Sequence, residues 1–169
     1  LVWPSGSIPA NFTICSITRY CGGNAARILT AQSGGWIHGH VWGGKGKVAY
    51  GAWCTTTTDN SNAGNWSITC GKNGGTIPNN ILIDGVPKGI AVGTLGGLIL
   101  TINNSSAGET SEWQFSYMFI WDQLLTDSEM MVVSNALSSY LSVGKLQIEY
   151  KNDLIINSCI TGPTGLTGI

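Results

Sequence analysis

The stretch Trp113 to Trp121, WQFSYMFIW, decides the fold. As a β-strand it sets Trp113, Phe115, Tyr117, Phe119 and Trp121 on one face and Gln114, Ser116, Met118 and Ile120 on the other, because strand side chains alternate. A face of five rings needs a second layer to cover it. Directly downstream runs LTDSEM, Leu125 to Met130, in which Thr126 is placed to cap a helix, Glu129 to close a capping box and Leu125 to staple onto Met130. Met130, Val133, Leu137, Tyr140 and Leu141 recur at helical spacing, and Gly144 supplies a stop. The unit predicts a central strand followed by one amphipathic helix packed against the edge of a sheet.

Upstream, short β-branched and aromatic runs alternate with turn formers. Phe12–Tyr20, Arg27–Ala31, Trp36–Trp42, Lys47–Cys54, Asn65–Gly71 and Leu98–Ile102 read as strands, and Asn80–Val86 as a strand entering a tight Asp84-Gly85 hairpin turn. Thr55–Gly64 and Asn103–Glu112 are polar loops. Many short strands with a single late helix predict an all-β fold: a two-sheet antiparallel jelly-roll sandwich with one short C-terminal amphipathic helix.

With 169 residues and 43% apolar content, the chain has room for one good core. Only 10% of residues are charged, against roughly a quarter in ordinary globular proteins, so the surface is built from Thr, Ser, Asn and Gly. A formal charge of -1 and no Lys/Arg cluster argue against nucleic acid and against an anionic membrane surface. No run approaches the roughly 20 apolar residues of a membrane-spanning helix. Leu1 stands where a Met would open a nascent chain, which reads as a processed or excerpted form, and a secreted protein whose signal is already removed is the expectation. Asn11, Asn65, Asn103 and Asn104 each begin an N-glycosylation acceptor pattern, in keeping with an extracellular or surface-displayed protein.

FTICSITRY (residues 12–20), WIHGHVW (36–42), W-x-x-x-CG (66–71), ILIDGV (81–86) and the W-x-F-x-x-x-FIWD strand leading into LTDSEM together resemble a concanavalin A-like sandwich of the laminin G type. They are similar, more distantly, to the pentraxins. The resemblance spans about residues 9 to 143 and lies in the order of the motifs, none of which is unique. It implies two antiparallel sheets packed face to face, and a mostly extracellular protein that binds carbohydrate or protein. By resemblance to the pentraxins, Cys15 would bridge to Cys70. Cys21 with Cys54 would then be the second pair, both standing at strand ends near glycine turns, although four cysteines allow three connectivities. Cys159 is left over, either free or joining subunits.

Glucanases of this superfamily work through two carboxylates in a Glu-x-Asp-x-x-Glu strand, one as nucleophile and one as acid. That pattern does not occur here; Glu109 and Glu112 are three apart in a Ser/Gly-rich loop, so the expectation is a chain that is not an enzyme. The acidic quartets that hold paired calcium ions in pentraxins are not visible either, so no cofactor is expected beyond a single weak calcium ion. His38 and His40 share a strand face and would need a third ligand to make a metal site. The face Trp36, His38, His40 and Trp42 could stack on sugar rings, but filling the core is its expected role, since burying two indoles stabilises by several kcal/mol.

Residues 1–144 are expected to form the sandwich. Over 145–160, Leu146, Ile148 and Tyr150, then Leu154 and Ile156, encode an extra strand or hairpin, which either completes this sandwich or pairs with a neighbouring subunit. Residues 161–169 place Gly162, Gly165 and Gly168 at every third position, the spacing of a collagen-like triple helix; three glycines are too few to stand alone, so the segment reads either as the start of a longer collagen-like tract or as a flexible tail. These features predict a structural or adhesive glycoprotein subunit that self-assembles into a fibre, matrix or trimeric head, with residues 145–169 as the expected contact. The alternative is a carbohydrate-binding lectin, with glycans as partner.

Overall fold

The computed structural model describes residues 1–56, 64–104 and 109–143. Among the described residues, nine strands and one helix follow in chain order: β1 (Thr13–Ala25), β2 (Leu29–Ala31), β3 (Trp36–Val41), β4 (Gly44–Tyr50), β5 (Ser67–Lys72), β6 (Ile81–Ile83), β7 (Val86–Pro87), β8 (Leu100–Ile102), β9 (Ser111–Trp121) and α1 (Asp127–Val143). They form two antiparallel sheets, ordered β7-β6-β5-β1-β9 and β4-β3-β2-β8, packed as a sandwich with the helix outside. The expected extra strand over 145–160, the Gly-x-y segment and Cys159 lie outside the described residues.

Two cores account for the layering. Between the sheets, Phe12, Ile14, Trp36, Val48, Tyr50, Ile81, Leu100 and Ile102 are buried together. On the far side of the five-stranded sheet, Cys15, Ile17, Ile68, Cys70 and Leu82 meet Leu125, Met130, Val133 and Leu137 of the helical unit. β1 therefore buries both faces, Ile14 one way and Cys15 and Ile17 the other, which explains its near-continuous apolar run. The helix lies on the outer face of this sheet, over β5 and β1, and not against its edge as the sequence predicts. Its start follows the sequence closely. The Glu129 backbone N–H donates to Thr126 Oγ1 at 3.2 Å and the Thr126 N–H to Glu129 Oε2 at 2.7 Å, while Leu125 and Met130 share one cluster. Leu141, expected on the buried stripe, is exposed.

The five rings of β9 do not share a face. The β1–β9 register steps from Ile17 opposite Tyr117 to Thr18 opposite Phe115, leaving Ser116 as the extra residue of a β-bulge. Alternation inverts there. Trp113 and Phe115 join Met118 and Ile120 against the inter-sheet core, whereas Tyr117, Phe119 and Trp121 face the helix, with Tyr117 edge-on to Tyr140 at 4.7 Å. One aromatic strand thus supplies both cores.

The helical unit is pinned from beneath by the buried Lys72, whose ammonium donates to the Leu125 carbonyl and to Asp127 Oδ1, each at 2.7 Å. Cys15 and Cys70 are directly opposed on β1 and β5 and joined by a disulfide under the helix. The expected Cys21–Cys54 bond is absent. Cys21 lies on the exposed far end of β1, while Cys54 is buried in the inter-sheet core, where its thiol is held up by burial and turned to the Ala52 carbonyl. The other sheet is extended at its β8 edge by the N-terminal residues: the Trp3 N–H donates to the Leu100 carbonyl and the Ile102 N–H to the Leu1 carbonyl. Among the described residues, no helix is long and apolar enough to cross a membrane.

Candidate functional site

Two hairpins of this fold use the same tight turn with different residues. At the β6–β7 turn Asp84 and Gly85 have φ of 51° and 79°; at the β3–β4 turn Trp42 and Gly43 have φ of 50° and 71°. Asp-Gly suits such a turn, because both central residues must be left-handed and Asp tolerates that region. A bulky indole does not, and holding one there costs on the order of 1–3 kcal/mol. Trp42 is nevertheless 57% exposed, so the strain is not recovered by burial in the core.

What surrounds Trp42 is a small built surface on the outer face of the four-stranded sheet. Trp53, 43% exposed, lies 5.8 Å from it, centroid to centroid, with the ring planes tilted by 51°. The Lys47 ammonium sits 5.6 Å from the Trp42 ring centroid, and burial lowers that lysine's pKa. The Trp42 indole N–H donates to Glu109 Oε1 at 3.3 Å, and the other oxygen of Glu109 is 2.5 Å from Arg27 Nε. The Gly43 N–H anchors the turn to the Ala25 carbonyl. Two tilted rings with a cation and an amphipathic rim can grip a ligand that presents apolar C–H faces between hydroxyls, or a flat protein surface.

The other members of the predicted Trp36/His38/His40/Trp42 face do not join Trp42. Trp36, His38 and His40 are buried between the sheets, so the sugar-stacking expectation fails for them and the core-filling one holds. The β3–β4 register steps from Gly39 opposite Lys47 to His40 opposite Lys45, leaving Gly46 as the extra residue of a β-bulge on β4, while Gly39 itself sits at φ +94°. A Cβ at Gly39 would stand 3.3 Å from Thr69 Oγ1, so the close approach of the two sheets needs a glycine. His38 Nε2–H donates to the Thr69 carbonyl at 3.1 Å, which leaves Nδ1 to accept the Tyr50 hydroxyl at 2.7 Å. Both ring nitrogens of His38 are thereby occupied by protein. His40 Nδ1 lies 3.0 Å from Thr18 Oγ1, and its ring meets Tyr20 edge-on. Burial drives both histidines down to about 3, with the nearby Lys45 and His38 adding to the effect at His40. Among the described residues, no three His, Cys, Asp or Glu side chains converge as a metal site.

The remaining predicted positions are scattered. Glu112 accepts from the Asn24 N–H, away from any carboxylate partner. Asn11, Asn65 and Asn104 are exposed, whereas Asn103 is half-buried and its side-chain oxygen accepts the Ser111 N–H. Trp53 and Lys47 are additions to the predicted site. The strand reading of Lys47–Cys54 runs straight through Trp53; Gly51, at φ +86°, is where β4 has ended and the chain turns Trp53 back beside Ala49. Compared with models of known protein families the chain matches none, and no curated protein matches it.

Proposed function

We propose that this chain is a non-catalytic structural and adhesive glycoprotein subunit, extracellular or surface-displayed, built on a concanavalin A-like sandwich of the laminin G type and assembling with copies of itself. The observation that carries the reading is Trp42, an exposed indole kept at a strained turn and backed by Trp53, Lys47 and Glu109. Strain retained at an exposed ring suits contact with a partner. The carboxylates nearest to it serve fixed roles, Glu109 toward Arg27 and Trp42 and Glu112 toward Asn24, which suits contact better than turnover. The buried Cys15–Cys70 bond is consistent with an oxidising, extracellular-type environment.

Assembly is assigned to residues 145–169, and within them to 157–169, which hold Cys159 and the Gly-x-y spacing. Light scattering on the chains 1–169 and 1–156 tests it: a larger assembly for the first and a monomer for the second is expected, and equal sizes overturn it. The second reading, a lectin, is favoured by the same Trp42–Trp53 pair, because pyranose C–H faces dock on aromatic planes. A glycan array with and without calcium separates the two. Saturable binding that Trp42→Ala abolishes favours the lectin, and silence favours the structural subunit.

A further inference from the structure

The five-stranded sheet has one long open side. β9 runs for eleven residues at its edge, and among the described residues no strand pairs with it on the side away from β1. The opposing sheet is different, because the N-terminal residues already cover β8. Between the two edges lies a groove of about 650 Å³, walled by Trp113 and Phe115 of β9 and by Leu1, Trp3 and Ile102 across from them, with Gln114 and Ser116 at its outer lip. An unpaired edge beside an apolar groove is a template for another strand.

We infer that residues 146–150 of the same chain fill this side as a sixth strand, hydrogen-bonded antiparallel to the Ser111–Phe115 half of β9. Three observations select that occupant. The first is reach. The helical unit starts at the Trp121 end of β9, where the Leu125 N–H donates to Thr13 Oγ1, and Tyr140 packs against Tyr117, so the helix travels back toward the Ser111 end and Val143 lies within one turn of that contact. The three steps from Val143 to Leu146 span up to about 10 Å, which is the usual spacing between packed layers. The chain can therefore step down onto the free edge while keeping its direction of travel, and that direction makes the new pairing antiparallel.

The second is pattern. A strand on this edge sends alternate side chains to opposite faces, one set into the groove and the other to the outside. Leu146, Ile148 and Tyr150 are apolar and Gln147 and Glu149 polar. The apolar set meets Trp113, Phe115 and Trp3, and the polar set lies beside Gln114, whose side chain already accepts from Arg19 at 2.6 Å. The third is length. Beyond the bulge at Ser116, β9 offers five residues, Ser111 to Phe115, and the alternating run Leu146 to Tyr150 is also five. The inference stands apart from the assembly reading, which concerns residues 157–169.

Disulfide trapping in the full chain tests it. In a Cys21→Ser, Cys159→Ser background, Gln114→Cys is combined in turn with Gln147→Cys, Glu149→Cys and Ile148→Cys. The expected result is a bond within one chain, at monomer mass, for a pair with residue 147 or 149 and none with residue 148, whose side chain points to the opposite face. A bond formed only between chains assigns the edge to a second copy and overturns the inference, as does the absence of any bond. Hydrogen exchange supplies an independent reading. Leu146→Asp with Ile148→Asp should speed amide exchange in Ser111–Phe115 at least tenfold while leaving β5 unchanged; unaltered exchange in that half of β9 overturns the inference.

Discussion

The hydroxyl of Tyr50 lies 2.7 Å from Nδ1 of His38, both side chains fully buried between the sheets, with Trp36 stacked on Tyr50 at 5.3 Å. This pair makes the fold sensitive to acid. His38 and His40 titrate at about 3 in the folded chain because burial disfavours their charged forms, against about 6.5 when unfolded. Between those values the unfolded state binds more protons, so stability is level above about pH 7 and falls as pH drops toward 3. Each histidine should cost about 2 kcal/mol between pH 7 and pH 5. Urea midpoints across that range check this, and His38→Gln should roughly halve the slope. A flat profile would show that the imidazoles are not held neutral.

A second acid-sensitive contact lies in a lower window. Asp127 is held below the usual carboxylate range, first by its hydrogen bond from Lys72 and further by Thr76 and Asn79. Its contribution is complete above the unfolded carboxylate pKa and is lost as pH falls through the lower folded value. Because the carboxylate is partly exposed, Asp127→Ala should cost about 2 kcal/mol, less than a fully buried pair would, chiefly by leaving the Lys72 ammonium with only the Leu125 carbonyl. Adding Lys72→Met should recover part of that loss. If the double variant is less stable than Asp127→Ala, the cost lies elsewhere than in the stranded charge.

The Cys15–Cys70 bond closes a separation of 55 residues, so Cys15→Ala with Cys70→Ala should cost about 4 kcal/mol through the freed unfolded chain. Both sulfurs lie in the core beneath Met130 and Val133. Helix signals in circular dichroism should therefore be lost together with the rest of the sandwich on urea unfolding. An unchanged urea midpoint in the double variant would remove the disulfide from the stabilising contacts.

Local chemistry was legible wherever a few adjacent residues determine the outcome. Thr126 and Glu129 make a reciprocal cap within one helical turn, and Asp84-Gly85 makes its hairpin from two residues, so both could be read directly. Ser116 could not. Nothing in WQFSYMFIW marks a bulge, because the extra residue is defined only by the register against β1, a strand almost one hundred positions earlier. The same limit separates Trp36 from Trp42: the alternation holds from Trp36 through His40, but β3 ends at Val41 and the final indole falls in the turn, which WIHGHVW does not mark. Cys21 and Cys54 look alike in sequence, each beside a glycine turn, yet one ends on an exposed strand tip and the other in the core.

Trp42 is where stability and contact should part company. Trp42→Asn places in the turn a residue that accepts left-handed geometry, relieving about 1 kcal/mol or more of strain. It also forfeits the ring contact with Trp53, the approach of Lys47 and the hydrogen bond to Glu109, each worth on the order of 0.5–1 kcal/mol at an exposed site. The two sides nearly cancel, so thermal stability should shift by no more than about 1 kcal/mol, while any adhesion or glycan binding through this face is lost. Trp36→Asn, in the inter-sheet core, should instead cost about 3–5 kcal/mol, as truncating a buried tryptophan does. Thermal melts of the two variants beside a binding assay distinguish the roles. If Trp42→Asn proves as destabilising as Trp36→Asn, the strained indole is structural and the contact surface has to be sought elsewhere.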